Sequence, residues 1–240
     1  DYWLDRITDE DMAPGTANKE FGHIDRMLKV VCDHYRLPYT PLFVGLRFTG
    51  QTTKMQRLPF TTEFILKNLL ADNVLEGMFE AGKALIHLMA DNGARPSELV
   101  GLDIENELYL DHSVPYFHIR SNKYRSIKNK NSEREIPLVG YSLEAARKGA
   151  FGKINKYRDN SISLTNIIGI YFRDNKYLPS KQYSLYSLRH SFDDRMTAAE
   201  VPERLQSQLM GHEYHRPSYG LGGDLLKKQE WLLKCALPQN

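Results

Sequence analysis

The side chains able to do chemistry in this 240-residue chain are arginines, histidines, lysines and tyrosines set at the ends of elements. Arg95 follows a helix stop at Asn92-Gly93 and precedes Pro96. Arg189 and His190 open a later helical pattern, and His212 directly follows the Met210-Gly211 end of another. Side chains at such boundaries can converge, and arginine offers a planar, permanently charged fork suited to phosphate or carboxylate. Helix amino termini add a preference for anions. The stretch LMGHEYHRPSYG, from Leu209 to Gly220, sets Tyr214 and Tyr219 among His212 and His215 in a segment broken by Gly and Pro. A phenol, with a pKa of about 10, becomes a nucleophile only beside an acceptor or strong positive charge. Each residue also has a plainer use. Arg95 and Glu98 have the spacing of a local ion pair, and histidines and tyrosines commonly serve as hydrogen-bonded or packing groups.

Other chemistries lack an anchor. There is no Gly-rich phosphate loop, HExxH, CxxC or GxSxG. His190, His212 and His215 have no carboxylate or thiolate at ligand spacing, so neither a metal nor a cofactor is expected. Cys32 and Cys235 lie far apart and read as free thiols of a reducing, cytoplasmic compartment. No apolar run is long enough to span a bilayer, so no membrane partner is expected. The net charge of +2 is too small to name a partner, but its distribution is informative. RSNKYRSIKNKNSER, from Arg120 to Arg134, concentrates Lys and Arg around Tyr124 and holds one Glu. It reads either as a solvated hairpin or as a phosphate-facing loop. The chain opens on Asp1 rather than Met, with nothing like a signal peptide, and is expected to be a piece of something longer.

The elements that must position these residues are mostly helical. Phe21, Ile24, Leu28, Val31 and Tyr35 share a helical face that Pro38 ends, and residues 36–60, rich in Pro and Gly, read as a linker. A helix should start at FTTEFILKNLLADN. Another should carry the stripe Leu75, Met78, Phe79, Gly82, Leu85, Ile86 and Met89, a core helix. The pattern then alternates: ELYLD, PYFHIRS and REIPLV predict three short strands, with HSV as the first turn and the basic segment joining the second and third. Helices resume in YSLEAARKGA from Ser142, around Leu164, Ile167, Ile168 and Tyr171, over Leu188 to Ala199, over Pro202 to Met210, and in DLLKKQEWLLKCAL. The expected fold is mainly α with a small three-stranded antiparallel sheet.

The order of these residues carries a resemblance. GARPSELVGL resembles the first arginine box of the tyrosine recombinases, the phage integrase family. YSLRHSFDDRMTAAEVPERLQSQLMGH resembles the second box through its Gly-His, and RPSYG stands where that family carries its nucleophile. The similarity runs in order from about Pro59 to Tyr219, through the basic segment ending in EREIPL. It implies the catalytic-domain fold over residues 55–240, with residues 1–54 the tail of an amino-terminal DNA-clamping domain plus linker. It also implies DNA cleavage and rejoining through a 3′-phosphotyrosine, without metal or cofactor.

Carried over by position, Arg95 and Arg189 would clamp the scissile phosphate and His212 would support it, with Glu98 and His190 beside them. Lys128 is favoured as the acid for the departing 5′ oxygen, Lys130 is the alternative and Lys123 a more remote one. Lys123, Arg125 and Lys130 are the DNA-facing cations expected on the hairpin. Tyr219 lies nearer than Tyr214 to the family's usual distance past the Gly-His, although its loop is shorter than usual. The second box departs from His-x-x-Arg: Tyr186 holds the first position, and a phenol is no neutral-pH base. The resemblance further implies double-stranded DNA as partner, a homotetramer on DNA with a monomeric free form allowed, an accessory DNA-bending protein as a further candidate partner, and integration or excision of a mobile element. The closing helix, through Leu225, Leu226, Leu232 and Leu233, either exchanges between protomers or packs on its own domain. A non-cleaving DNA-binding protein of this fold and a type IB topoisomerase are the other readings.

Overall fold

The computed structural model describes residues 14–45, 57–127, 132–214 and 224–239. The chain divides after Met55 into two compact units. In the first, helix α1 (Pro14–Tyr35) buries Ala17 and Phe21, while Val31 and Tyr35 of the predicted stripe are exposed. Arg36, at φ 54°, turns the chain out of the helix, and Leu37 N donates to the Cys32 carbonyl at 2.8 Å. The segment expected as open linker folds back at its start: Phe43 stacks on Phe21 at 4.7 Å, and the Tyr39 hydroxyl donates to the Asp25 carbonyl.

The second unit begins with α2 (Thr62–Phe64), which continues as a widened, π-helical stretch over Ile65–Leu70. Thr61 caps it, its side chain accepting from Phe64 N, as the sequence leads one to expect. The next helix, α3 (Glu80–Met89), starts later than its apolar stripe predicts. Leu75 and Gly77 adopt φ of 56° and 75°, outside any right-handed helix, yet Leu75 and Met78 are still buried. Burial and helical period thus part company over residues 75–79.

Two short helices follow, α4 (Pro96–Val100) and α5 (Ile104–Glu107), and then the antiparallel sheet β1 (Leu108–Tyr109), β2 (Tyr116–Ile119) and β3 (Arg134–Pro137), in that order. Leu108 pairs with Phe117, Phe117 with Ile136, and Ile119 with Arg134. Beyond the sheet come α6 (Gly140–Arg147), α7 (Ala150–Asn155), α8 (Ser161–Asp174), α9 (Ser187–Ala198), α10 (Glu203–Met210) and α11 (Leu225–Cys235). Helix α7 was not foreseen, because AFGKIN is too short to display a helical period. It nevertheless lies against α3, burying Phe151 and Ile154.

The core has two parts. The larger gathers α3, α7 and α8 with Phe117, Ile119 and Ile136 of the sheet; the smaller joins Phe192 and Met196 of α9, Leu205 and Leu209 of α10, and Leu232 and Cys235 of α11. Helix α11 lies on β3 and α9 with Leu232 fully buried, while Leu226 and Leu233 remain exposed. Its exit is tied down by Asp91, which accepts from Leu237 N at 2.8 Å and Tyr141 N at 2.9 Å and lies 3.4 Å from Arg195. No helix among the described residues is long and apolar enough to cross a membrane.

Candidate active site

Arg189 is the most constrained of the sequence-predicted residues. It stands in the first turn of α9 and is only 2% exposed, in a chain whose other charged groups are mostly solvated. A buried guanidinium is tolerable only if its donors are used. One Nη donates to the Gly93 carbonyl after α3, and the other to the Met210 carbonyl at the end of α10 at 2.6 Å. The second Nη also lies 3.0 Å from His212 Nε2. Since guanidinium has no acceptor, His212 Nε2 must accept, leaving the proton of the neutral ring on Nδ1. Burial pushes the Arg189 pKa down to about 10, which still leaves it charged at neutral pH.

The backbone permits this approach through glycines. A Cβ on Gly93 would collide with the Met210 sulfur and lie 3.0 Å from the Phe192 ring. Gly211, at φ 65°, ends α10 in a left-handed turn that presents His212. Burial first, and then the charges of Arg189, Arg95 and Arg134, hold the His212 ring below its ordinary pKa. The three arginines therefore share one electrostatic neighbourhood with the imidazole.

Arg95 precedes Pro96 at the start of α4. Its backbone N donates to Glu98 Oε2 at 2.6 Å, and its Nη1 meets Glu98 Oε1 at 2.8 Å. The local ion pair is therefore present, and it leaves the guanidinium a third exposed. Arg95 faces two shallow clefts, of about 410 and 390 Å³, one bounded by Tyr186 and Ser97 and the other by Arg125 and Ile127. Tyr186, 37% exposed, precedes α9, and its ring meets that of His190 edge-on at 5.5 Å. His190 is half-buried on the next turn.

The hairpin residues separate. Lys123 is exposed, 4.0 Å from Asp103, with its ammonium over the Tyr124 ring. Arg125, expected to face DNA, turns inward instead: it donates to the Glu98 carbonyl at 2.6 Å, the Arg120 carbonyl at 2.8 Å and Glu107 at 3.1 Å, and is 10% exposed. The buried Glu107 carboxylate needs a cation, and Arg125 is placed to supply it. Together with Asn122, which donates to the Gly101 carbonyl and Glu107, it fastens the hairpin base to the first arginine box. Lys128, Lys130 and Tyr219 lie outside the described residues, and Tyr214 is half-buried two residues past His212.

One residue of the site escaped sequence reasoning. Arg134, at the start of β3, is 7% exposed and makes four bonds: Nε to the Leu209 carbonyl at 3.0 Å, Nη1 to the Ser132 carbonyl at 2.8 Å and to Glu98 Oε1 at 3.1 Å, and Nη2 to Glu98 Oε2 at 2.9 Å. Burial works to raise the Glu98 carboxyl, but Arg134, aided by Arg95, outweighs it and holds the pKa below its usual value. The signal was available. Alternation in REIPL puts Arg134 on the same face as buried Ile136, and an inward arginine requires an acidic partner.

No protein-family model matches the chain. Curated sequences do: it is 28% identical over 160 residues to tyrosine recombinase XerC of Azotobacter vinelandii (strain DJ / ATCC BAA-1303), covering 65% of this chain and 53% of that one. It is 27% identical over 161 residues to tyrosine recombinase XerC of Shewanella sp. (strain ANA-3), covering 62% and 50%. The chain thus spans about half the length of the curated relatives it matches. Among solved structures, the Tn1549 transposon integrase in complex with circular intermediate DNA superposes with a TM-score of 0.55 at 16% identity, over 89% of this chain and 76% of that one. A variant of that integrase in complex with transposon right end DNA gives 0.53 at 15% identity, over 94% and 77%. At such identities the likeness of structures speaks for the fold. Recombinase-like sequence and integrase-like fold coincide in one chain, which is similar to tyrosine recombinases over about 160 residues and shares the fold of a transposon integrase.

Proposed function

We propose that this chain is the catalytic part of a site-specific DNA recombinase that cuts and rejoins strands through a tyrosine. The observation that carries the reading is the buried Arg189 guanidinium, charged, held by two backbone carbonyls and in contact with His212, in the same electrostatic neighbourhood as Arg95. A phosphoryl transition state gathers negative charge on its nonbridging oxygens, and fixed donors in a poorly solvated site stabilise that charge most strongly. In this reading Arg95 and Arg189 hold the scissile phosphate, with His212 beside them. The Tyr219 oxygen, its phenol proton released to solvent, attacks phosphorus while the P–O5′ bond breaks, and Lys128, or Lys130 in its place, gives its proton to the departing 5′ oxygen. The phosphotyrosine conserves the phosphodiester's energy, so that another 5′ hydroxyl can reverse the step. Tyr186 offers a hydrogen bond toward the phosphate from the place where the family carries histidine, and the exposed Lys123 faces the backbone.

The first unit then serves as the tail of an amino-terminal DNA-binding domain. The working form is a homotetramer on two double-stranded sites, with Leu226 and Leu233 of α11 available to a neighbour, for integration or excision of a mobile element. A duplex nicked beside the scissile phosphate tests the chemistry: a covalent protein–DNA adduct is expected from the wild type and none from Tyr219→Phe. An adduct that survives in Tyr219→Phe moves the nucleophile. Binding without any adduct favours a non-cleaving DNA-binding protein of this fold, and relaxation of supercoiled DNA without strand exchange favours a topoisomerase.

A further inference from the structure

We infer that Arg134 is a positioning residue that sets the distance between the two phosphate-binding elements, holding the first arginine box through Glu98 and the Gly-His turn through the Leu209 carbonyl. The inference rests on the recombinase reading of the site. Arg95 and His212 sit on separate elements, α4 and the turn after α10, which follow the chain by very different routes. Only their lateral contacts can fix how far apart they stand.

Arg189 supplies one such tie, between the Gly93 and Met210 carbonyls, and Arg134 supplies a second from another element, β3. Two nitrogens of its guanidinium take both oxygens of Glu98, the same carboxylate that binds the backbone N and the Nη1 of Arg95. Its Nε takes the carbonyl of Leu209, two residues before Gly211. The guanidinium also lies against Gly211 itself: a Cβ there would be 2.5 Å from Nη1 and 2.8 Å from the central carbon. Arg134 thus occupies the space that the missing side chain leaves free. A lysine could keep the charge but not serve the carboxylate and the carbonyl together from one plane. Because reacting groups must be held to within fractions of an ångström, a loosened spacer should slow chemistry more than it weakens binding.

Arg134→Lys, Arg134→Gln and Glu98→Gln would be compared with the wild-type chain in single-turnover cleavage of the nicked duplex, in DNA binding, in thermal unfolding, and in the NMR titration of His212. The expected result is a fall in cleavage rate of about 10- to 100-fold in Arg134→Lys with DNA affinity within about twofold, and no rescue by the retained charge. In Arg134→Gln the His212 midpoint should move upward at temperatures where the variant is folded. The double variant Arg134→Gln, Glu98→Gln should lose no more rate than the worse single one. Wild-type cleavage rates and an unmoved His212 midpoint in folded Arg134 variants would overturn the inference. Absence of an adduct from the wild type would instead sink the recombinase reading, and the His212 midpoint in Arg134→Lys, where the charge is kept and only the bonds to Glu98 and Leu209 are lost, would then decide whether Arg134 holds the turn.

Discussion

At the scale of single residues, what distinguishes this site is that its cations are used in different ways. Arg189 spends its donors on carbonyls and an imidazole, and Arg95 shares a carboxylate and keeps a third of its surface open. Arg125 is fully engaged with its neighbours. Arg189→Lys keeps the charge but leaves the Gly93 or Met210 carbonyl without a donor, so single-turnover cleavage should fall by about 100- to 1,000-fold. His212 gives a pH signature. Its pKa is lowered in the folded chain, first by burial and then by Arg189, so the unfolded chain binds this proton at higher pH than the folded one. The stability tied to it is therefore complete above about 6.5 and is lost as the pH falls through the folded value. Thermal midpoints measured from pH 7 to 5 should fall more steeply for the wild type than for His212→Gln; parallel curves would show that the ring is not coupled to folding.

At the scale of elements, capping and turn chemistry decide where functional side chains emerge. Thr61, Asn160 and Asp224 accept from the backbone three residues on and fix the starts of their helices. Gly211 does more than end α10, because it combines a left-handed φ with direct contact to Arg134. Gly211→Ala should therefore cost about 1–3 kcal/mol in urea unfolding, and it should depress cleavage even at temperatures where the variant is folded. The helix boundaries around the site were legible because Asn92-Gly93, Pro96, Pro202 and Gly211 punctuate the sequence. The start of α3 was not, since Leu75 and Met78 are buried from a non-helical stretch, and apolar spacing alone does not tell the two apart.

At the scale of the whole molecule, the second unit holds two apolar clusters, and Arg189 bonds to the chain at the end of α3 in one and the end of α10 in the other. Helix α11 belongs to the smaller cluster through Leu232 and Cys235. Leu232→Ala should destabilise the isolated chain by about 2–5 kcal/mol, whereas Leu233→Ser, at an exposed position, should stay within about 0.5 kcal/mol of the wild type. If α11 also meets a neighbouring protomer on DNA, Leu233→Ser should reduce assembly on paired sites, read by native gel shift, without changing the unfolding curve.

Element types could be read from residue spacing because helical period, strand alternation, caps and glycine stops are local properties of the chain, whereas the arginine boxes were read from the resemblance of short motifs to those of a family. Tyr186 at the place of the family's histidine is likewise an implication of that resemblance. The partners of Arg125 and Arg134 were not legible, since a salt bridge between residues 18 or 36 positions apart depends on which elements the fold brings together. Folding turned one arginine of the basic segment to the hairpin base and set another between the start of α4 and the end of α10, because buried Glu107 and Glu98 each require a cation within bonding distance.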